Sequence, residues 1–214
     1  MKNVVIAGYA RSPFTPAKKG ELARVRPDDL LAQTIKGLVE KTGLDLADVE
    51  DLIVGCAFPE GEQGFNVARL AGFLADLPLS VSGTTVNRFC GSSMQAIHQA
   101  AGAIQMGAGE VFLCAGVESM TRVPMGGFNP MPNPELYKSY PQAYVSMGET
   151  AENLAKKYAI ERKRQEEFSV QSQKKTAAAQ AAGRFDDEIV PIQNGTKISR
   201  DGCPRPDTTV EGLA

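Results

Sequence analysis

The chain has 214 residues, 43% of them apolar, with mixed charges summing to −2. That length can bury one large or two small hydrophobic cores. The charge balance excludes a basic nucleic-acid surface and a disordered charged tail, and no apolar run is long enough to cross a membrane.

Met1-Lys2-Asn3 passes straight into a strand-like run, so a cytoplasmic protein without a secretory leader is expected. That run, Val4-Val5-Ile6-Ala7-Gly8-Tyr9, has the continuous apolar pattern of a strand buried on both faces. A polar loop with Arg11, Ser12, Pro13 and Pro16 follows. Asp28 and Asp29 then open a helix with Leu31, Ile35, Leu38 and Val39 on its apolar face, closed near Gly43. Asp45 to Glu50 reads as one helical turn, and Leu52-Ile53-Val54-Gly55-Cys56-Ala57 as a second buried strand. Asn66 suits the cap of a second helix presenting Val67, Leu70, Ala71 and Leu74. A third strand near Gly83 to Asn87 leads into a helix ending around Gly107, with Met94, Ile97, Ala101 and Ile104 as its predicted buried stripe. Val111-Phe112-Leu113-Cys114-Ala115-Gly116 is the fourth strand. Strands alternating with helices across short links predict a layered α/β sheet with its ligand site at the carboxyl ends of the strands.

Composition shifts after Met120. Prolines, glycines, Asn129 and Asn133 mark an irregular excursion from Gly126 to Pro141. Helices are predicted from Glu149 to Tyr158 and from Glu161 to Ala182, then a short strand Ile189-Val190-Pro191-Ile192. The predicted organisation is an α/β core over 1–120 and a mostly helical segment over 121–214. The basic residues Lys156, Lys157, Arg162, Lys163 and Arg164 read as a solvated helix face.

The stretch with the most chemical content is Thr84-Thr85-Val86-Asn87-Arg88-Phe89-Cys90-Gly91-Ser92-Ser93-Met94-Gln95-Ala96. A β-branched run enters it, a thiol stands at the corner, and a helical pattern leaves it. Ser92 and Ser93 suit the free N–H groups of a helix start, and the macrodipole there favours thiolate over thiol. A lone cysteine is more often a small buried hydrophobe, so geometry alone leaves nucleophile and core residue both open. The other thiols are Cys56, Cys114 and Cys203. With no CxxC pair and one histidine, neither a zinc site nor disulfides are expected. That histidine, His98, lies eight residues along the same helix from Cys90. The spacing corresponds to about 12 Å of rise and about 80° of rotation, out of reach as a base.

The runs Val86-Asn87-Arg88-Phe89-Cys90-Gly91-Ser92-Ser93-Met94-Gln95-Ala96 and Gly116-Val117-Glu118-Ser119-Met120-Thr121-Arg122-Val123-Pro124-Met125 resemble the acyl-enzyme signature of thiolases. The resemblance implies a thiolase-like αβα sheet, its N-terminal half only, followed by a loop domain that covers coenzyme A. It implies that Cys90 carries the acyl group as a thioester, and that its backbone N–H helps to hold the oxyanion. It further implies that the activating histidine and a second cysteine come from a C-terminal half beyond this sequence. The chain alone is therefore expected to be inactive. Ser146 and Met147, in Ser146-Met147-Gly148-Glu149, match the family's acyl-pocket segment and are the implied substrate contacts. Cys56 and Cys114 are expected to be inert, and Cys203 is not the second catalytic cysteine.

The implied reaction is 3-oxoacyl-CoA plus CoA giving acyl-CoA and acetyl-CoA, with CoA as substrate and no metal or redox cofactor. Val123-Pro124-Met125 is similar to the degradative enzymes of fatty-acid β-oxidation, and Ser146 stands where short-chain biosynthetic thiolases often carry histidine. An acetoacetyl-CoA-forming thiolase, a ketoacyl synthase and a non-catalytic CoA- or lipid-binding half-module remain alternatives. The family implies a dimer or tetramer, so exposed apolar surface is expected.

Overall fold

The computed structural model describes residues 2–214. Three parallel strands form the main sheet, with β1 (Val49–Gly55) between β2 (Ser82–Val86) and β3 (Val111–Gly116). Leu52 lies opposite Gly83 and Leu113, and Gly55 lies opposite Val86 and Gly116. The three strands therefore end level, and the loops that leave them share one edge of the sheet.

Helices cover both faces because side chains alternate along β1. Leu52 and Val54, both fully buried, pack with Leu31, Ala32 and Ile35 of α1 (Pro27–Thr42) and with Val67, Ala68 and Ala71 of α2 (Val67–Leu74). Ile53 points the other way, against Ala96 and Ala100 of α3 (Ser92–Met106). Each such aliphatic side chain contributes roughly 1.5–3 kcal/mol of burial, so the sheet is held from both sides. The expected α/β layering is met.

Local chemistry sets the ends of these helices. α1 has Pro27 at its first position, Asp28 and Asp29 in its first turn, and Gly43 in the left-handed region (φ 67°) as its stop. Asn66 caps α2, its side chain accepting from the Arg69 N–H at 3.4 Å. The turn before β1 is a short helical one over Leu46–Asp48, capped by Asp45.

Three expectations about burial are corrected. Residues 4–9 form no strand among the described residues; Val5 and Ile6 are 77% and 74% exposed. An apolar sequence supplies the side chains of a buried strand but not its hydrogen-bonding neighbour. On α3 the sheet-facing stripe is Ser92, Ala96 and Ala100, while Met94 is 57% exposed and Ile97 also lies at the surface. Small residues let the helix axis approach the sheet, so the large ones are turned outward. The same inversion leaves Leu70 and Leu74 of α2 exposed and buries Ala68 and Gly72.

The chain forms two compact units. One runs to Phe128 and is rejoined by Asp186–Cys203; the other comprises Asn129–Phe185 and Pro204–Ala214. The expected cut at residue 120 falls inside the first unit, because composition registers where the sheet stops, not where the chain returns. The returning segment is tied back by hydrogen bonds. The Arg11 N–H donates to the Glu188 carbonyl and the Val190 N–H to the Arg11 carbonyl, both at 2.8 Å. The two-residue strands β4 (Ile192–Gln193) and β5 (Lys197–Ile198) then pair antiparallel, and the Gln193 N–H donates to Gln33 of α1 at 2.8 Å. The Arg11 guanidinium forms a bidentate pair with Asp201, 2.8 Å on each arm, and donates to Glu188 at 2.6 Å.

The second unit is helical: α4 (Pro134–Ser139), α5 (Met147–Lys157), α6 (Arg162–Ala181) and α7 (Val210–Leu213). Among the described residues no helix is long and apolar enough to cross a membrane.

Candidate active site

All three parallel strands deliver their following loops to one edge, as the crossover rule for such sheets requires. β1 gives Cys56-Ala57-Phe58, β2 gives Asn87-Arg88-Phe89-Cys90, and β3 gives Val117-Glu118-Ser119. Cys90 sits in the tight turn Phe89–Gly91 immediately before α3, and it is exposed. The predicted strand-to-helix corner is present, and α3 begins at Ser92, two residues after Cys90.

Two glycines allow that corner to lie against the sheet. A β-carbon on Gly55, the last residue of β1, would stand 2.4 Å from the Ser92 carbonyl carbon and 2.5 Å from the Ser93 nitrogen. One on Gly116, the last residue of β3, would stand 1.9 Å from the Ser93 hydroxyl oxygen. The start of α3 therefore rests directly on the backbone of two strand ends.

The turn itself is strained and tied. Phe89 has φ +46°, a left-handed conformation that costs a residue with a side chain about 1–3 kcal/mol. Ser92 does not cap α3 as expected. Its hydroxyl accepts from the Arg88 N–H at 2.9 Å and donates to the Phe89 carbonyl at 2.6 Å, closing the turn behind the thiol. The N-cap of α3 is Gly91, with no side-chain cap bond, so that end of the helix has no carboxylate or hydroxyl in its first amides.

The four thiols occupy different surroundings. Cys56 is buried, and burial, followed by the Glu118 charge, pushes its thiol up to about 11. Cys114 is half-buried; burial first, and the nearby Asp51 carboxylate second, raise it too. Both are disfavoured as thiolates, in line with their expected inertness. Cys203 is exposed in the returning segment, outside any helix or strand. His98 lies on the exposed side of α3.

Ser146 and Met147 belong to the second unit. Ser146 accepts from the Glu149 N–H at 3.2 Å while the Glu149 carboxylate accepts from the Ser146 N–H at 3.0 Å, a reciprocal capping box. α5 thus starts two residues earlier than predicted. Met147 is exposed at its first position.

Comparison with known proteins accounts for this combination of sheet, corner and thiol. The family model "Thiolase, N-terminal domain" matches residues 4–214. The chain belongs to the thiolase family. It is similar to the 3-ketoacyl-CoA thiolase of Bacillus subtilis (strain 168), with 47% identity over 205 residues, covering 95% of this chain and 52% of that protein. The 3-ketoacyl-CoA thiolase of Aliivibrio fischeri is 43% identical over 221 residues, covering 100% of this chain and 57% of that one. Among solved structures, human mitochondrial 3-ketoacyl-CoA thiolase in complex with CoA aligns with TM-score 0.85 and 30% identity over 97% of this chain and 55% of the human one. The Bacillus anthracis acetyl-CoA acetyltransferase aligns with TM-score 0.84 and 34% identity over 99% and 57%. This thiolase chain spans about half the length of the relatives it matches.

Sequence reasoning missed several residues of the thiolase corner. Gly55 and Gly116 were read only as parts of apolar runs, although a glycine ending each of two strands signals a close approach. Gln63, fully buried, carries no signal in the sequence; it donates to the Glu118 carboxylate at 2.7 Å and to the Phe58 carbonyl at 2.9 Å. A polar residue beside Gly61 and Gly64 carries no period by which its burial could be read.

Proposed function

We propose that this chain is the nucleophile-bearing half of a 3-ketoacyl-CoA thiolase. The Cys90 thiolate attacks the 3-keto carbon of a 3-oxoacyl-CoA. The bond between carbons 2 and 3 then breaks, the acetyl-CoA enolate takes a proton, and the acyl group stays on Cys90 as a thioester. The thiol of a second CoA displaces it. The observation that supports this reading is the placing of the thiol: Cys90 alone of the four stands exposed at a strand-to-helix corner, two residues before the first residue of α3. The Cys90 N–H at that corner is the donor that the thiolase resemblance assigns to a developing oxyanion.

The reading extends to partners. The human relative is described in complex with CoA, which supports CoA as a substrate here. Ser146 and Met147 are the substrate contacts that the thiolase resemblance implies, and the Ser146 hydroxyl is also engaged at the start of α5. The exposed edge strand β2 and the outward Met94 and Ile97 suit a dimer, and four free thiols suit a reducing cytoplasm. The names of the bacterial relatives favour 3-ketoacyl-CoA turnover in fatty-acid breakdown. The resemblance to an acetyl-CoA acetyltransferase supports a second reading, acetoacetyl-CoA formation on the same cysteine.

His98, the sole histidine of the sequence, lies on the exposed side of α3, and the thiolase resemblance assigns the base to a complementary C-terminal half. A thiolysis assay tests this directly: no turnover by the chain alone, and turnover on adding a thiolase C-terminal half. Robust activity of the chain alone would overturn the reading, as would acyl-CoA labelling of Cys114 ahead of Cys90.

A further inference from the structure

The thioester chemistry above names Cys90 and leaves unexplained what holds the residue before it. Phe89, at φ +46°, has neither glycine's freedom nor the short polar side chain that usually makes this conformation tolerable. Some group must supply the compensation.

Asn87 is placed to do so. Its Oδ1 accepts from the Phe89 N–H at 2.9 Å, a turn closed by the side chain over two residues. Its Nδ2 donates to the Ala57 carbonyl at 2.9 Å, across to the loop that follows β1. Ala57 is itself fixed, since its N–H donates to the Glu118 carboxylate at 2.7 Å. The same carboxylate accepts from Gln63, whose Oε1 accepts from the Ser119 N–H at 2.5 Å. A continuous polar path thus joins the loops after β1 and β3 to the corner after β2. Its inner member, Gln63, is fully buried with both ends of its amide engaged. Phe58 adds a ring contact with Phe89, centroids 6.1 Å apart.

We propose that Asn87 is a positioning residue: its carboxamide locks the left-handed Phe89 to the Glu118–Gln63 anchored loop and thereby fixes where the Cys90 sulfur stands at the start of α3. The proposal rests on Cys90 being the nucleophile. Asn87 touches no reacting atom in this scheme; it acts through the Phe89 backbone. An unlocked corner lets the turn Phe89–Gly91 shift, and the exposed thiol moves with it.

The test uses the 214-residue chain with iodoacetamide as probe. Carbamidomethylation of each cysteine is followed by peptide mass spectrometry at pH 7, with exposed Cys203 as the internal standard. In the parent chain Cys90 is expected to react faster than Cys203. Asn87→Ala should lower the Cys90-to-Cys203 rate ratio about tenfold, the equivalent of about 1.4 kcal/mol. Asn87→Ser, whose hydroxyl can still accept from an N–H two residues on, should recover part of that loss. A general loosening would be recognised by faster labelling of Cys56 and Cys114, which positioning leaves unchanged. An unchanged ratio in Asn87→Ala, or a fall matched by a rise at Cys56 and Cys114, overturns the proposal while leaving the nucleophile intact. A parent chain showing no preference for Cys90 overturns the nucleophile reading and the proposal together. Should the alanine variant fail to fold, Asn87→Leu, of similar size but able to make neither the Phe89 nor the Ala57 hydrogen bond, carries the same comparison, and an unchanged ratio there is equally fatal.

Discussion

Replacing Gly55 by alanine tests whether the corner depends on backbone touching backbone. The added β-carbon would sit 2.4 Å from the Ser92 carbonyl carbon, whereas ordinary contact begins near 3.4 Å, so the first turn of α3 must retreat by about 1 Å. The obstacle is main chain and cannot rotate away. Overpacking of this kind costs about 1–3 kcal/mol, and with urea slopes of about 1–3 kcal/mol/M the midpoint should fall by roughly 1 M. Because Ser92 also closes the turn behind Cys90, the displacement should slow Cys90 alkylation in the native state, and the rate of a complemented enzyme by up to about 100-fold. Two controls bracket the effect. Gly116→Ala meets the Ser93 hydroxyl, which can turn to another rotamer, and the Ser93 β-carbon at 3.1 Å, which needs to give only slightly, and should cost less. Gly102→Ala, in the interior of α3 with no atom within 4 Å of the new carbon, should stabilise by about 0.5–1 kcal/mol. A Gly55→Ala chain with parental urea midpoint and parental Cys90 reactivity would refute the close-packed corner.

Two further substitutions probe the clasp of the first unit and the start of α5. Asp201→Asn should destabilise by about 1–3 kcal/mol at pH 7, since it removes the charge facing Arg11 on a bidentate pair. The Arg11 hydrogen bond holds the Asp201 carboxyl below its ordinary range, so this stability is present above the unfolded carboxyl's titration and lost as pH falls through the folded one. Urea midpoints of parent and variant should therefore draw together as pH falls; a gap that does not narrow in acid would remove the ion pair as its cause. Ser146→Ala should cost about 1 kcal/mol and raise amide hydrogen exchange in the first turn of α5, with no change in the first unit. Unaltered exchange there would show that the cap contributes nothing.

Much of the scaffold was legible from local pattern. β1 and β3 announced themselves as apolar runs, α1 by its acidic start and Gly43, and α3 by Gly107, which sits at φ 76° as its C-cap. The capping box of α5 is equally local, a serine and a glutamate three apart. What pattern could not supply was which face of a helix meets the sheet. Met94, Ile97, Ala101 and Ile104 make as good a periodic stripe as Ser92, Ala96 and Ala100, yet the small residues won, because Gly55 and Gly116 call for close approach.

By itself the sequence determined the order of elements, the thiol at the β2–α3 corner and the resemblance that made Cys90 the candidate, since each depends on neighbours within a few residues. The tertiary structure decided that residues 4–9 lack a ladder, that 186–203 rejoins the first unit, and that Asn87, Gln63 and Glu118 form one path behind the corner. Ladders, close approaches and buried hydrogen bonds join positions tens of residues apart. Only the folded chain brings such positions within 3 Å, and a one-dimensional period carries no record of them.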